Sequence, residues 1–468
     1  MNVRLTFLGA ARTVTGSKHW LSIGAKNYLI DCGIFQGPPE LEQLNWDRLP
    51  IDPTQLDAVV LTHAHIDHSG YLPKLINAGF AGPVYASEAT RALLALLLPN
   101  SGYLQEEQAS YANKKGYSRY KPALPLYTYD QAVRSLESLR PVKLEQPVAI
   151  DEQLTVTMRP AGHVLGSAIL ECDVSVGTQQ LKLVFSGDLG GYDQEVMRSP
   201  ASVARADYLI VESTYGDREH PREPLEDQLA AVVTATVERS GALLIPSFAV
   251  GRTQQVLYYL RKLQDQKRIP DLPVYLDSPM AIDAAAIYCR FGDEHNLNVN
   301  LLMDEKECPL RCHQTHFART VHESKWLNDA PGPMIIISAS GMCNGGRVVH
   351  HLKHRLPDPK NTVLFVGYQA QGTRGRALVD GTNEIKIHGI PVPVRAQIAS
   401  IDGLSAHGDY HELLRWLSGF ETAPRQTFIV HGDPQAARAF QKRIREQLNW
   451  KTHLPRYSET VALQRGVP

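Results

Sequence analysis

The residues that stand out first are Thr62-His63-Ala64-His65-Ile66-Asp67-His68-Ser69-Gly70, which put three imidazoles and a carboxylate within six positions, directly after the apolar run Ala58 to Leu61. Neutral imidazole and carboxylate are donors that suit zinc, and a turn at a strand's end lets closely spaced side chains converge on two neighbouring ions. A polar, histidine-rich surface loop is the bland alternative, in a chain with 18 histidines. The company these residues keep argues against it. Asp31 follows Tyr28-Leu29-Ile30, His163 ends Pro160-Ala161-Gly162-His163 after Leu154 to Met158, and Asp188 ends Ser186-Gly187-Asp188 after Leu183-Val184-Phe185. Glu212 follows Leu209-Ile210-Val211, and His431 follows Phe428-Ile429-Val430. Several have glycine beside them, which lets backbone approach closely. A lone strand-end Asp or His is usually a turn residue. Six strands ending this way imply one shared rim of a sheet sandwich.

The elements that must position these residues read as short β-branched and apolar runs between turn signals. They are Val3 to Leu8, Trp20 to Ile23, Tyr28 to Ile30, Ala58 to Leu61, Leu154 to Met158, Leu181 to Phe185 and Tyr208 to Val211. After Ser213 the rhythm changes. Helical patterns (Leu225 to Arg239, Thr253 to Gln264, Ile282 to Cys289, Arg347 to Arg355) alternate with the apolar strands Ala242 to Ile245, Val274 to Leu276, Met334 to Ile337 and Thr362 to Val366. That alternation predicts a parallel, doubly wound sheet. After about Asp380 strands return (Glu384 to Ile387, Val394 to Ile398, Thr427 to Val430), followed by a helix from Gln435 to Leu448. The expected division is therefore residues 1–212, an inserted domain at 213–381, and a return at 382–468. A length of 468 residues exceeds what one core usually organises.

Composition narrows the class. Apolar residues make up 43% and charged ones 21%, as in soluble globular chains. The net charge of -1 lacks the basic excess of many nucleic-acid binders, so any polyanion must be held by local patches. Six scattered cysteines without a charged-then-apolar leader lead to the expectation of a reducing cytoplasm. The run Ala92 to Leu98 is far short of the ~20 residues a membrane span needs.

His63, His65, Asp67 and His68 resemble the signature motif of the metallo-β-lactamase superfamily, and Asp31, His163 and Asp188 resemble its other metal-site motifs. Glu212 in Val211-Glu212-Ser213-Thr214-Tyr215-Gly216, His407 in Leu404-Ser405-Ala406-His407-Gly408-Asp409 and His431 in Val430-His431-Gly432 resemble the three motifs of the β-CASP branch. That branch includes the endonuclease of the cleavage and polyadenylation machinery, ribonuclease J, and smaller bacterial and archaeal ribonucleases, which this chain resembles along essentially its whole length. The resemblance implies an α/β architecture: a metallo-β-lactamase αββα sandwich carrying an inserted β-CASP domain. It implies two Zn2+ per chain, one held by His63, His65 and His163 and one by Asp67, His68 and His431, with Asp188 bridging and Asp31 orienting the ligand histidines. Asp67, His407 and Glu212 are the catalytic groups it implies. It also implies a single-stranded RNA substrate, which the histidine at 431 favours, and a homodimer.

The chemistry fits those roles. A water between two zinc ions loses a proton near neutral pH, because metal binding brings its pKa from ~16 toward ~7, and this supplies a bridging hydroxide as nucleophile. The same ions offset charge that builds on the phosphate. By analogy with the family His407, polarised by Glu212, protonates the leaving oxygen, so that 5′-phosphate and 3′-hydroxyl ends result. Two strand-to-helix segments, Pro246 to Thr253 and Ser338 to Arg347, resemble β-CASP phosphate cradles and nominate Ser247, Arg252, Ser340, Gly341 and Arg347, with Arg374 as a third anion contact. A loop with Lys114, Lys115, Tyr117, Arg119, Tyr120 and Lys121 mixes cations with aromatics as single-strand binders do, although a solvated surface is the preferred reading. Cys308, Cys312, His313 and His316 depart from the usual paired spacing, so no structural zinc is expected there. The competing functions are hydrolysis of a small ester, thioester or lactone, which the zinc core alone would also allow, and a non-catalytic RNA scaffold, against which the complete ligand set argues.

Overall fold

A computed structural model of the chain describes residues 3–464, apart from 117–119, 178, 222, 303, 305–306, 368 and 370–371. It forms two compact units, one of Met1–Glu219 with His407–Pro468 and one of His220–Ala406. In chain order the first unit supplies β1 (Val3–Phe7), β2 (His19–Ile23), β3 (Lys26–Ile30), β4 (Ala58–Val60), β5 (Val84–Ser87), β6 (Leu139–Val142), β7 (Pro147–Ala149), β8 (Leu154–Pro160), β9 (Ala168–Val176), β10 (Gln179–Phe185) and β11 (Tyr208–Val211). The second supplies β12 (Ala242–Pro246), β13 (Pro273–Asp277), β14 (Gln314–Phe317), β15 (Met334–Ser338), β16 (Thr362–Val366), β17 (Glu384–Ile387), β18 (Ile390–Pro393) and β19 (Gln397–Ile401). The chain then returns to the first unit with β20 (Gln426–Ile429), β21 (Thr452–His453) and β22 (Glu459–Leu463).

The first unit is a sandwich of two seven-stranded sheets, ordered β22-β1-β2-β3-β4-β5-β6 and β21-β20-β11-β10-β9-β8-β7. Alternation along the strands makes the interior: Val3, Leu5 and Phe7 of β1 and Leu154, Val156 and Met158 of β8 point into one shared apolar cluster, as period-2 side chains on facing sheets must. The outer face of the second sheet, with Val184, Leu209 and Val211, is covered by Leu413, Trp416 and Leu417 of helix Tyr410–Leu417 and by Phe440 and Ile444 of helix Pro434–Leu448. Helices thus lie outside the paired sheets, as an αββα sandwich requires.

One large element was not legible. Helix Glu88–Lys115 contains the apolar run at 92–98, starts where Ser87 Oγ accepts from Thr90 N at 3.1 Å, and stops at Gly116 in the left-handed region (φ 67). Its second half is too polar to show a helical stripe. Lys114 and Lys115 therefore belong to its last turn, where cations suit the helix dipole, rather than to a loop. Tyr117 and Arg119 lie outside the described residues. No helix among the described residues is long and apolar enough to cross a membrane.

The second unit has a six-stranded sheet ordered β14-β13-β15-β12-β16-β19, all its pairs parallel. Both faces are apolar. Leu243, Ile245, Ile335 and Ile337 pack on one side against Val256, Leu257 and Leu260, while Leu244, Ile336 and Phe365 pack on the other against Val348 and Leu352. This is the burial that helix crossovers impose on a parallel sheet. The boundary expected at 381/382 moves to Ala406/His407. β19 pairs with β16, and Ile385, Ile387 and Val392 of the β17-β18 hairpin join the second unit's core; the three strands between residues 384 and 401 are not a return to the first sheet system, a return that begins only with β20.

At the end of β13 the fully buried Asp277 accepts from Arg347 Nη1 at 2.7 Å, His351 Nε2 at 2.6 Å and Ser324 Oγ at 2.7 Å. Burial resists ionisation, but the bonds from His351, Ser324 and Arg347 outweigh it and hold this carboxyl below the usual carboxylate range. Asp277→Ala should destabilise the second unit by about 3–5 kcal/mol, because it strands buried partners. A folded pKa below the unfolded one means that the stabilisation is complete above about pH 4 and fades as the pH falls further. Thermal unfolding from pH 7 to pH 3 should show the variant's deficit shrinking with acid.

Candidate metal centre

Every strand end singled out in the sequence delivers its residue to one place in the first unit. Asp31 follows β3; His63, His65, Asp67 and His68 occupy the turn and the single helical turn Ile66–Ser69 after β4; His163 follows β8, Asp188 β10, Glu212 β11 and His431 β20. The turn after β4 is pressed against the segment after β3 so closely that a Cβ at Gly33 would sit 1.6 Å from the Asp67 carbonyl oxygen. Only glycine fits there. Asp31 (φ 58) and His431 (φ 47) are held in the left-handed region, a backbone cost that persists only where the surroundings over-determine the conformation.

Donor atoms gather within 4.8 Å in two groups, one of His63, His65, His163 and Asp188 and one of Asp67, His68 and His431, and an overlapping third set joins Asp188 and His431 to Glu212. His63 Nε2 and His163 Nε2 both lie 3.1 Å from His65 Nδ1. His68 Nε2 lies 3.0 Å from His431 Nε2, which is 3.5 Å from Asp67 Oδ2. Asp188 serves both groups: Oδ2 is 3.5 Å from His63 Nε2 and from His163 Nε2, and Oδ1 is 3.3 Å from His68 Nε2.

The arrangement fits divalent metal. Asp31 Oδ2 lies 2.7 Å from His68 Nδ1, Thr62 Oγ1 3.1 Å from His63 Nδ1, and Thr214 Oγ1 3.0 Å from His431 Nδ1. A proton held at each outer nitrogen turns the inner lone pairs toward one another. Burial disfavours a charged His68, but Asp188 and Asp31 outweigh it and raise its pKa well above the usual imidazole range, so the centre favours positive charge at this position. A divalent cation supplies that charge, and two nitrogens on one tetrahedral zinc are about 3.3 Å apart. Burial keeps His63 and His65 below their usual range and so neutral. Burial also resists ionisation of Asp67, yet His431 and His68 hold its pKa at about 2. Asp188 Oδ1 is buried without a hydrogen bond, as an oxygen meant for a cation would be.

Glu212, wholly buried, accepts from Leu189 N at 2.6 Å and Thr214 N at 3.2 Å, and both its oxygens lie 3.1 Å from His407 Nδ1. His407 Nε2 faces the metal groups, 3.9 Å from Asp188 Oδ2. Burial disfavours the imidazolium, but the Glu212 carboxylate, helped by Asp188, outweighs it and raises the pKa of His407 to about 9.

Sequence reasoning missed Thr62, Thr214 and Ser17. Thr62 bonds Asp31 through both N (2.8 Å) and Oγ1 (2.9 Å), and Ser17 Oγ donates to Asp31 at 3.2 Å. A strand-end hydroxyl looks like ordinary turn chemistry until its partner across the sheet is known.

The expected phosphate contacts lie in the second unit. Ser247 N donates to Ser338 O at 3.0 Å, so the loops after β12 and β15 run side by side, with Gly341 tucked against the ring of Phe248. Arg252 opens helix Arg252–Asp265 with its guanidinium over Gly367. Two arginines depart from expectation. Arg347 donates to Asp277 and to the carbonyls of Ala318 and Arg319, and Arg374 to those of Cys343, Asn344 and Lys386. They tie loops together, each by donating to more than one backbone carbonyl. Of the cysteine-histidine group, His313 is held by Asp265 and Asp271, Cys312 Sγ lies on Leu257 O, and His316 stacks on Tyr275; they form no metal cluster among the described residues.

Three family models match the chain: the metallo-beta-lactamase superfamily over residues 20–232, the Beta-Casp domain over 253–378, and the Zn-dependent metallo-hydrolase RNA specificity domain over 391–455. Ribonuclease TTHA0252 of Thermus thermophilus is 37% identical across 94% of this chain and 95% of its own length. Transcription termination factor FttA of Methanocaldococcus jannaschii is 32% identical across 99% of this chain and 72% of its own. A protein of unknown function from Enterococcus faecalis V583 matches in structure with a TM-score of 0.55 at 14% identity, covering 99% of this chain and 100% of that one, which bears on the fold alone. A buried imidazole and carboxylate cluster on an αββα sandwich is the site of a metal-dependent hydrolase. The chain belongs to the metallo-β-lactamase superfamily and, within it, to the β-CASP branch.

Asp31→Ala should weaken metal binding about 10- to 100-fold, the usual effect of removing a carboxylate that orients a ligand histidine. Competition against a calibrated chelator measures it, and retention of wild-type affinity would show that Asp31 orients nothing.

Proposed function

We propose that the chain is a zinc-dependent ribonuclease that hydrolyses phosphodiester bonds of single-stranded RNA and leaves 5′-phosphate and 3′-hydroxyl ends. The observation that carries the reading is the His407–Glu212 pair beside a carboxylate, Asp188, that turns one oxygen to each of two donor groups. The match to an RNA specificity domain and the likeness to a protein named a ribonuclease support RNA as the substrate.

In this reading His63, His65 and His163 hold one zinc, Asp67, His68 and His431 a second, and Asp188 both. When bound, the two ions supply Lewis acidity toward the phosphate and an acidified water. The protein's own groups do the rest. Asp31, Thr62 and Thr214 fix the rings that bear the inner nitrogens. His407, protonated through Glu212 at neutral pH, delivers a proton from Nε2 to the leaving 3′-oxygen, whose basicity otherwise makes departure slow. Glu212 then stabilises the proton-bearing form for the next turnover, and backbone N–H donors of Leu189 and Thr214 fix its carboxylate in place. Arg252 and the loops holding Ser247, Ser340 and Gly341 take backbone phosphates of the strand.

Purified chain should contain two zinc ions and cleave an end-labelled single-stranded RNA, with chelator abolishing cleavage and zinc restoring it. His407→Ala should keep both ions and slow cleavage by about 10²–10⁴-fold. Loss of zinc in that variant would remove the proton-donor role, and a zinc-loaded chain that turns over thioesters or lactones but not RNA would sink the ribonuclease reading.

A further inference from the structure

Beside the metal centre, the first unit carries an open depression of about 540 Å³ lined by Arg12, His453, Arg456, Tyr457 and Glu459, among others. We propose that it is a nucleotide subsite for the RNA strand, with Arg12 and Arg456 taking phosphates and Tyr457 taking a base. This deepens the ribonuclease reading and rests on it.

Its position follows from hydrogen bonds. The loop between β1 and β2 accepts from the backbone of one metal-site residue, His431 N to Ala10 O at 2.7 Å, and donates to that of another, Ser17 N to Asp67 O at 2.8 Å. Arg12 lies between those two anchors. The far wall is tied down too, since Ser458 N donates to Phe7 O at 2.7 Å. The depression therefore flanks the half of the centre built by Asp67, His68 and His431.

Its chemistry suits a polyanion. Arg12 is exposed, has φ 63, and donates through Nη2 to Leu454 O at 3.2 Å. The acid in the lining, Glu459, accepts from His453 Nε2 at 2.6 Å and Arg456 N at 2.8 Å, and the Arg456 charge adds only a long-range attraction to it without an ion-pair contact. No carboxylate forms an ion pair with either Arg12 or Arg456 among the described residues, whereas arginines such as Arg159, Arg268 and Arg376 in the same chain are paired. In a chain of net charge -1, two unpaired guanidiniums on one concavity are a local basic site. Tyr457 is 42% exposed, and its ring is steadied edge-on by Phe35 at 6.1 Å. A fixed, half-open aromatic ring between cations is the arrangement on which single-stranded bases stack while their phosphates are neutralised. The volume is of the size that holds one small ligand or nucleotide unit.

The test is binding of a 5′-fluorescein-labelled single-stranded oligouridylate, followed by anisotropy over a range of salt, to full-length chain carrying His407→Ala so that cleavage is slow. On that background Arg12→Ala with Arg456→Ala should weaken binding at least tenfold and reduce the slope of log affinity against log salt by about 1.4, since each single-strand phosphate contact contributes about 0.7. Tyr457→Ala should weaken binding at least fivefold without changing the slope, and Tyr457→Phe should restore it. Arg134→Ala, at an exposed position of helix Tyr129–Ser135 that does not line the depression, should change neither. A wild-type strand carrying 4-thiouridine should photocrosslink to the peptide containing Tyr457, a readout that needs no variant to fold. If the background chain binds RNA, but the arginine and tyrosine substitutions leave affinity and slope intact or crosslinks fall only elsewhere, the subsite is wrong and the ribonuclease reading stands. If the unsubstituted chain neither binds nor cleaves RNA, both fall together.

Discussion

Removing Asp188 and the rings of His63, His68, His163 and His431 from water, with His65 and Asp67 half-buried beside them, is the constraint on which the rest of the first unit depends. Carboxylates buried without compensation are strongly unfavourable, and ring nitrogens of neutral His63 and His65 brought within 3.1 Å of each other, with His163 equally near His65, crowd donor atoms together. Divalent cations relieve both. The protein's part is to make the approach rigid before any cation arrives, and the sandwich does this by anchoring each donor at the end of a strand whose other residues are locked in the apolar core.

The same constraint explains the layer of groups behind the donors. An imidazole presents a lone pair at a chosen nitrogen only when its other nitrogen is occupied, so Asp31, Thr62 and Thr214 are as much a part of the centre as the rings they hold. It also explains why unusual backbone gathers there. Asp31 and His431 in the left-handed region, and Gly33 packed against Asp67, are tolerated because strands on either side leave the turns no alternative path.

Electrostatics across the chain is local rather than global. A near-neutral total charge gives no general attraction for a polyanion, and several arginines that look available in the sequence are consumed internally. Arg347 sustains the buried Asp277, and Arg374 caps loop carbonyls. Basic character that remains open to an anion is therefore concentrated where acids are absent or already engaged, as around Arg12 and Arg456. Unpaired cations carry more functional information here than the number of cations.

The chain alone determined the strand ends that bear chemistry. Metal donors must be particular residue types, and short apolar runs ending in Asp, His or Glu can be read without knowing what the runs pack against. The alternating helices and strands of the second unit were legible for the same reason, since each element carries its own periodicity: helix Arg347–Arg355 and strand Thr362–Val366 were read with the bounds the structure gives them. What depended on partners far away in sequence was not. Helix Glu88–Lys115 has one apolar half and one polar half. The hairpin and strand at 384–401 look like any other strands until β16 and the apolar core assign them to the second unit. The separation of Arg347 and Arg374 from the cations left open, and the roles of Thr62 and Thr214, were decided only by tertiary structure. A guanidinium or hydroxyl can serve equally well inside or outside, and which it does is set by the acceptor that folding brings to it.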